Sequence, residues 1–291
     1  VGRPTVVGAP GGSNHGGAAY VFFRGVNGWE LESKIIDSLS QPQAGFGRSV
    51  APSGSKLALG ANGVDLYGVD AGAVVMYEHG ANGWARGPVL KASSPEYWAG
   101  FGWDVELFGS KLFVGSPFRN EGGQDAGAVH VFEKSGSAWQ ETQLLSSPVA
   151  SDSSNFGRGL ALSNGVLAVA APYHSWGLGS YGGVFLYRED MNGTWQVDQN
   201  LGVFGAEEFG ADMDFAGDRL AVGAPASDAG GDGRGAVYHF EEVGNSWQIV
   251  ETLQGTVDQG GFGRAVALDG LPFSGMRLLI GEPGNHTAAT R

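Results

Sequence analysis

Residues 101–139 read FGWDVELFGSKLFVGSPFRNEGGQDAGAVHVFEKSGSAW, and the order of landmarks in that stretch decides the fold. Phe101-Gly102 opens it, Val114-Gly115-Ser116-Pro117 follows, Gly127-Ala128-Val129-His130-Val131-Phe132 comes next, and Trp139 closes it. The same order recurs along the chain. Phe-Gly stands at Phe46, Phe101, Phe156, Phe209 and Phe262, at separations of 55, 55, 53 and 53 residues. The apolar-Gly-Ala-Pro segment returns as Leu59-Gly60-Ala61-Asn62, Val169-Ala170-Ala171-Pro172, Val222-Gly223-Ala224-Pro225 and Ile280-Gly281-Glu282-Pro283, and Val7-Gly8-Ala9-Pro10 is one further copy. Glycine-led segments start again at Gly17, Gly72, Gly182 and Gly235, and tryptophans recur at Trp29, Trp84, Trp195 and Trp247.

Between these landmarks each unit holds four short runs rich in Val, Leu, Phe and Tyr, with period-2 alternation and glycines between them. Four strands per unit and no helix of consequence are expected. Asn27-Gly28, Asn82-Gly83 and Asn192-Gly193 fall between the third and fourth runs, where a tight hairpin needs positive φ. Four antiparallel strands every 53 to 56 residues is the arithmetic of propeller blades, each burying its faces against its neighbours. A β-solenoid would repeat at a much shorter period. The expected fold is therefore all-β, a β-propeller forming one domain over residues 1–291. Its blades fall at about 1–40 (partial), 41–95, 96–150, 151–203, 204–256 and 257–291 (partial). The first blade has its strands two to four and the last its strands one and two, which makes 21 strands with the second strand present twice. A piece of a six- or seven-bladed ring is the preferred expectation, and a closed five-bladed ring with a spare strand is the alternative. Starting at Val1 without initiator Met or signal peptide, the chain reads as a processed or trimmed piece.

Composition agrees with this and narrows the function. Gly supplies 52 of the 291 residues, far above the usual share of about 7%. Collagen is excluded because the glycines lack a period of three and only 12 prolines accompany them. Disorder is excluded by 42% hydrophobic and 11% aromatic residues. The formal net charge of −13 repels phosphate backbones and anionic membranes, so nucleic-acid partners are not expected. No run reaches the 18 or so apolar residues of a membrane-spanning helix, so membrane insertion by this chain is not expected. With no cysteine there can be no disulfide, thiol nucleophile or zinc–thiolate centre.

The succession Phe-Gly, Gly-Ala-Pro, Gly-Ala-Val-Tyr-Val-Phe and Trp resembles the FG-GAP repeat, the blade unit of the integrin α-subunit propeller and of bacterial and algal extracellular proteins. The likeness covers essentially the whole chain. It implies an extracellular or cell-surface propeller used for adhesion or ligand recognition. Integrin-type repeats also place an Asp-x-Asp-x-Asp-Gly calcium loop between the Phe-Gly and Gly-Ala-Pro strands. Here that interval is Pro52-Ser53-Gly54-Ser55-Lys56 or Ser163-Asn164-Gly165, which offers too few oxygens for calcium. No cofactor is expected.

Aligning the blades with one another separates scaffold from candidate function. Phe22, Tyr77, Phe132, Tyr187 and Phe240 share a third-strand column and belong to the core, and His130 and His239 beside it read as structural histidines. After Phe-Gly, blades with Arg48, Arg158 and Arg264 alternate with blades carrying Asp104 with Glu106 or Asp212 with Asp214. Residues two apart on a strand share a face, so these groups are expected to form a charge ring at the channel, or a site for a cation or polar ligand. Loops that break the repeat are the better recognition candidates. Tyr97 and Trp98 precede one Phe-Gly, with Trp103 just after it, and Tyr173, Trp176 and Tyr181 occupy one link between strands two and three. Such aromatics suit stacking on a sugar ring or anchoring a protein, or else packing on a neighbouring blade. Asp228 with Asp232 is a weak calcium candidate, as are Asp65 with Asp70 and Asn120 with Asp125, where turn capping competes. Asn192 and Asn285 head N-glycosylation sequons.

Gly177-x-Gly179-x-x-Gly182 matches a dinucleotide fingerprint but joins two strands and opens no helix, which discounts it. The Gly-x-Ser-x-Gly, His-Glu-x-x-His and P-loop patterns do not occur. The expected function is non-enzymatic binding of a protein or glycan, or of further copies of the chain in a surface assembly or filament. A glycosidase or lyase on the same scaffold is the alternative, because carboxylate separation is a three-dimensional quantity.

Overall fold

Glycine-bounded apolar runs become strands throughout the computed structural model, which describes residues 5–11, 16–149, 151–177, 179, 181–228, 233–271 and 275–284, with the backbone alone at 270, 271, 275 and 276. The chain folds as two compact units, Val1–Ser146 and Ser147–Arg291. In the first unit β1 (Thr5–Ala9), β2 (Ala18–Gly25) and β3 (Gly28–Ile35) make a three-stranded sheet. Two four-stranded sheets follow. One contains β4 (Phe46–Ser53), β5 (Lys56–Ala61), β6 (Ala73–Gly80) and β7 (Gly83–Leu90). The other contains β8 (Val105–Phe108), β9 (Lys111–Ser116), β10 (Ala128–Ser135) and β11 (Ala138–Leu145). The second unit repeats the plan with β12 (Gly159–Ser163), β13 (Val166–Ala171), β14 (Gly183–Glu189) and β15 (Trp195–Leu201). Next come β16 (Met213–Ala216), β17 (Arg219–Ala224), β18 (Ala236–Val243) and β19 (Ser246–Gln254), and the pair β20 (Ala265–Leu271) and β21 (Gly275–Gly281) completes it. Every pairing between these strands is antiparallel and sequential. The fold is an all-β propeller of four-stranded blades, six of them whole or partial, with the 21 strands that the repeat predicts among the described residues.

Burial follows strand position. In the four-stranded blades the second strands and the first five residues of the third are buried on both faces, so Leu57 and Ala58, Leu167 and Ala168, and Leu220 and Ala221 are all sealed from solvent. The fourth strands alternate or lie largely exposed, as an outer edge must. Each fourth strand carries a bulge opposite the third-strand aromatic column, between Val21 and Phe22, Val131 and Phe132, Leu186 and Tyr187, and their counterparts. A bulge interrupts the hydrogen-bond ladder and twists that edge away from foreign strands. The aromatic column is core in four blades, where Tyr77, Phe132, Tyr187 and Phe240 are buried, and half-buried at Phe22.

The core lies between consecutive sheets. One cluster joins Ala58, Val74 and Met76 to Phe101, Val105, Leu112 and Phe132 of the next blade, and another joins Ala168, Val184 and Leu186 to Phe209, Leu220 and Val222. At about 1.5–3 kcal/mol for each large apolar side chain sealed, stacking of blades is the main source of stability. The Phe-Gly phenylalanine is the anchor. Phe46, Phe101, Phe156 and Phe209 are fully buried.

A parallel bridge joins the glycine before one blade's third strand to the Phe-Gly of the next, pairing Gly72 with Phe101, Gly182 with Phe209 and Gly235 with Phe262. The amides of Phe101, Phe209 and Phe262 donate at 3.1 Å to the residue before each of these glycines. Close approach explains the glycine. A methyl group on Gly72, whose φ is +84°, would lie 2.1 Å from the Phe101 carbonyl oxygen.

Asp37 adds a polar contact between the first two blades. Its carboxylate accepts from Tyr77 Oη at 2.6 Å and from Arg86 Nε at 2.6 Å and Nη2 at 3.1 Å. Burial opposes its ionisation, but the hydrogen bonds from Arg86, Tyr77 and the Leu39 amide outweigh it and lower the pKa from 3.8 to about 2. The unfolded chain therefore binds more protons between those values, so the stabilisation is complete above about pH 4 and is lost as pH falls towards 2. Asp37→Asn is expected to destabilise the protein by about 1–2 kcal/mol at pH 7, modest because water still reaches Arg86. Urea unfolding at pH 7 and pH 2.5 checks this. The difference between variant and wild type shrinks at the lower pH, and an unchanged difference would mean that the Asp37 charge contributes nothing.

Candidate recognition surface

Antiparallel succession fixes which loops share an end of a blade. Links from strand two to three and from strand four to the next strand one lie at one end, and the other two links lie opposite. The aromatic loops singled out by sequence all belong to the first class.

In the first unit the link 91–104 carries Tyr97 and Trp98, which are 66% and 61% exposed. The Trp98 amide donates to the Val69 carbonyl at 2.8 Å and the Gly100 amide to Asp70 at 3.1 Å, which ties this link to the loop 62–72. Tyr97 lies over Gly68, where a methyl group would stand 2.3 Å from its ring. Exposed Leu66 and Val69 on the adjoining loop extend the apolar patch. Trp98 has φ +66°, and Gln43, Ser153 and Gln259 at the same distance before their Phe-Gly have φ of 69°, 56° and 54°. The left-handed turn is thus scaffold, and the side chain it displays is free to vary. Trp103 has a different environment. The Arg48 guanidinium lies 3.8 Å from the centre of its ring and Phe118 meets it edge-on at 5.0 Å, so it packs at the inner seam rather than on the loop surface.

In the second unit Trp176 is fixed within its own blade. Its indole N–H donates to the Gly182 carbonyl at 2.7 Å, its ring stacks on Phe185 at 5.9 Å, and buried His174 stands edge-on at 4.6 Å. Tyr173 faces Arg158 at 5.5 Å. Tyr181 meets Phe204 at 4.9 Å, and Phe204 is 77% exposed. Phe204 was not among the expected site residues. It is an aromatic in a link where other blades have Gln41, Glu96 and Ser151, the same departure from the repeat that marks Trp98.

In the second unit the carboxylates of Asp212 and Asp214, two members of the expected charge ring, accept backbone amides of the next blade's first strand, from Val266 at 2.7 Å and Leu268 at 2.7 Å. Asp212, just before β16, and Asp214 on it are two residues apart and match the two-residue spacing of the Val266 and Leu268 amides on β20, so the pair of acids caps an edge of that strand. Burial raises both carboxyl pKa values and the amide hydrogen bonds oppose it. Arg264 pairs instead with Glu208 at 3.1 Å. In the first unit Ser49, one residue after Arg48, donates to the Gly102 carbonyl at 3.0 Å, again across blades. Asp104 accepts from the Val105 amide at 3.0 Å, and both Asp104 and Glu106 are half-buried.

The loop acids serve as turn caps. Asp65 Oδ1 accepts from the Asp70 amide at 2.8 Å, Asn120 Oδ1 from Asp125 at 3.0 Å and Asp228 Oδ1 from Gly233 at 2.7 Å, one spacing in three blades. Asp232 and Asn285 lie outside the described residues. Among those described, no group of three or more His, Asp or Glu is placed to hold a metal ion. His130 is buried with Nδ1 2.8 Å from Glu141 Oε1, in keeping with a structural role. Asn192 stands exposed at the hairpin between β14 and β15, where its own amide donates to Asp190 at 2.8 Å. No described helix is long and apolar enough to cross a membrane.

No protein-family model matches the chain, and no curated protein matches it.

Proposed function

We propose that this is an extracellular recognition module of the FG-GAP type, which holds a protein or glycan partner through loops at one end of its blades and performs no chemistry of its own. The observation that carries the reading is the contrast within one residue class. In the four-stranded blades the Phe-Gly phenylalanines and the third-strand aromatics are buried, whereas Tyr97, Trp98 and Phe204, which interrupt the repeat, stand 61–77% exposed. Water-facing aromatic rings with neighbouring Leu66 and Val69 are the anchors that binding surfaces use, since each ring removes a large apolar area from water at little cost in side-chain entropy. The acidic charge suits partners other than nucleic acids or anionic membranes. No resident metal or organic cofactor takes part in this reading, and Asn192 is an accessible acceptor for a glycan in a secreted setting. Self-assembly at a surface is the third class of partner.

An array of glycans and glycoproteins, run beside a reducing-sugar assay on the polysaccharides that bind, tests the proposal. Binding without release of reducing ends is the expected result. Catalytic turnover of any bound polysaccharide would replace the recognition reading with a carbohydrate-active enzyme.

A further inference from the structure

In the second unit, Trp176, Tyr181, Asn200, Gly202, Val203 and Phe204 enclose a hollow of about 280 Å³. Two loops at the recognition end build it, one supplying Trp176 and Tyr181 and the other Val203 and Phe204. Its Trp176 wall is rigid. Gly202 leaves room for the indole, since a methyl group there would lie 2.9 Å from it, and Phe185 backs the ring. The indole N–H is already used by Gly182, so Trp176 presents apolar ring surface and no donor. The lining contains no charged side chain in a chain of net charge −13, so a charged ligand would meet no partner for its charge. Asn200, exposed on β15, brings an amide that both donates and accepts to the rim.

Aromatic faces, an uncharged lining and an amide at the rim match a molecule with flat C–H faces and a girdle of hydroxyls. We infer that the cleft binds one ring of a neutral saccharide, stacked on the aromatic walls and oriented by Asn200. The volume suits a single ring, because sites for drug-sized ligands run from about 300 to 1,000 Å³. The inference rests on the recognition reading above, taken in its glycan form.

Calorimetric titration of the whole chain with uncharged hexose trisaccharides, alongside uronic-acid and sulfated trisaccharides, tests it. The wild type is expected to bind neutral members and to reject the acidic ones. Phe204→Ala and Asn200→Ala alter exposed side chains, and each is expected to weaken binding at least ten-fold with the melting temperature unchanged. Equal affinity in both variants, preference for acidic sugars, or no neutral sugar bound overturns the inference. Saccharide binding lost in Trp98→Ser but kept in Phe204→Ala moves the site to the first unit, and so overturns the cleft while leaving the recognition reading intact. Binding of a peptide tipped with Phe or Leu, lost in Phe204→Ala and with no saccharide bound, does the same. A saccharide that is bound and then hydrolysed overturns the recognition reading itself.

Discussion

Gly72→Ala is expected to destabilise the protein by about 3–6 kcal/mol, although it adds a single methyl group. Three costs combine. At φ +84° an alanine pays about 1–2 kcal/mol for left-handed backbone. Its Cβ would lie 2.1 Å from the Phe101 carbonyl oxygen and 2.7 Å from the Phe101 nitrogen, so the bridge to the next blade must open. Opening it strains the Phe101 N–H bond to the Ala71 carbonyl, a loss of about 1 kcal/mol, and shifts a phenylalanine that is 1% exposed, where repacking costs about 1–3 kcal/mol. Gly109→Ala separates these causes. Gly109 has φ +61° with open space around the missing Cβ, so only the backbone cost of about 1–2 kcal/mol applies. Denaturant unfolding of the two variants measures the difference. Equal destabilisation would show that the bridge between blades contributes nothing.

Much of this architecture was legible because its constraints are local and repeated. A Phe-Gly at nearly constant spacing signals a buried ring beside a backbone contact, and the contact between Gly72 and Phe101 supplies the physical reason. The four-stranded blades followed from the same punctuation. Partners across blades were less legible. Asp37 binds Tyr77 and Arg86, which lie far along the chain and belong to another sheet. Asp212 and Asp214 have backbone amides as partners, which every residue except proline carries and no side-chain pattern marks. Trp176 and Trp98 looked alike in sequence as aromatics interrupting the repeat. Phe185, His174 and Gly202 fix the first within its blade, whereas Trp98 sits on a left-handed turn that directs its side chain towards water.

The largest functional effect is expected at Tyr97 and Trp98. Replacing both by serine removes two rings that are 66% and 61% exposed and leaves the fully buried anchors Phe46 and Phe101 untouched. Central aromatic anchors each contribute about 2–4 kcal/mol to binding, so losing two lowers affinity by at least a hundred-fold. Serine already occupies the Trp98 column at Ser153, whose φ is +56°, so the turn accepts the change. The central claim is that recurring residues build the blades and non-recurring residues bind the partner. Its most direct test is one paired measurement, the melting temperature and the affinity for an array-identified protein partner that free saccharide does not displace, in wild type and in Tyr97→Ser/Trp98→Ser. The account predicts an unchanged melting temperature with binding lost, and a lowered melting temperature with binding retained would contradict it.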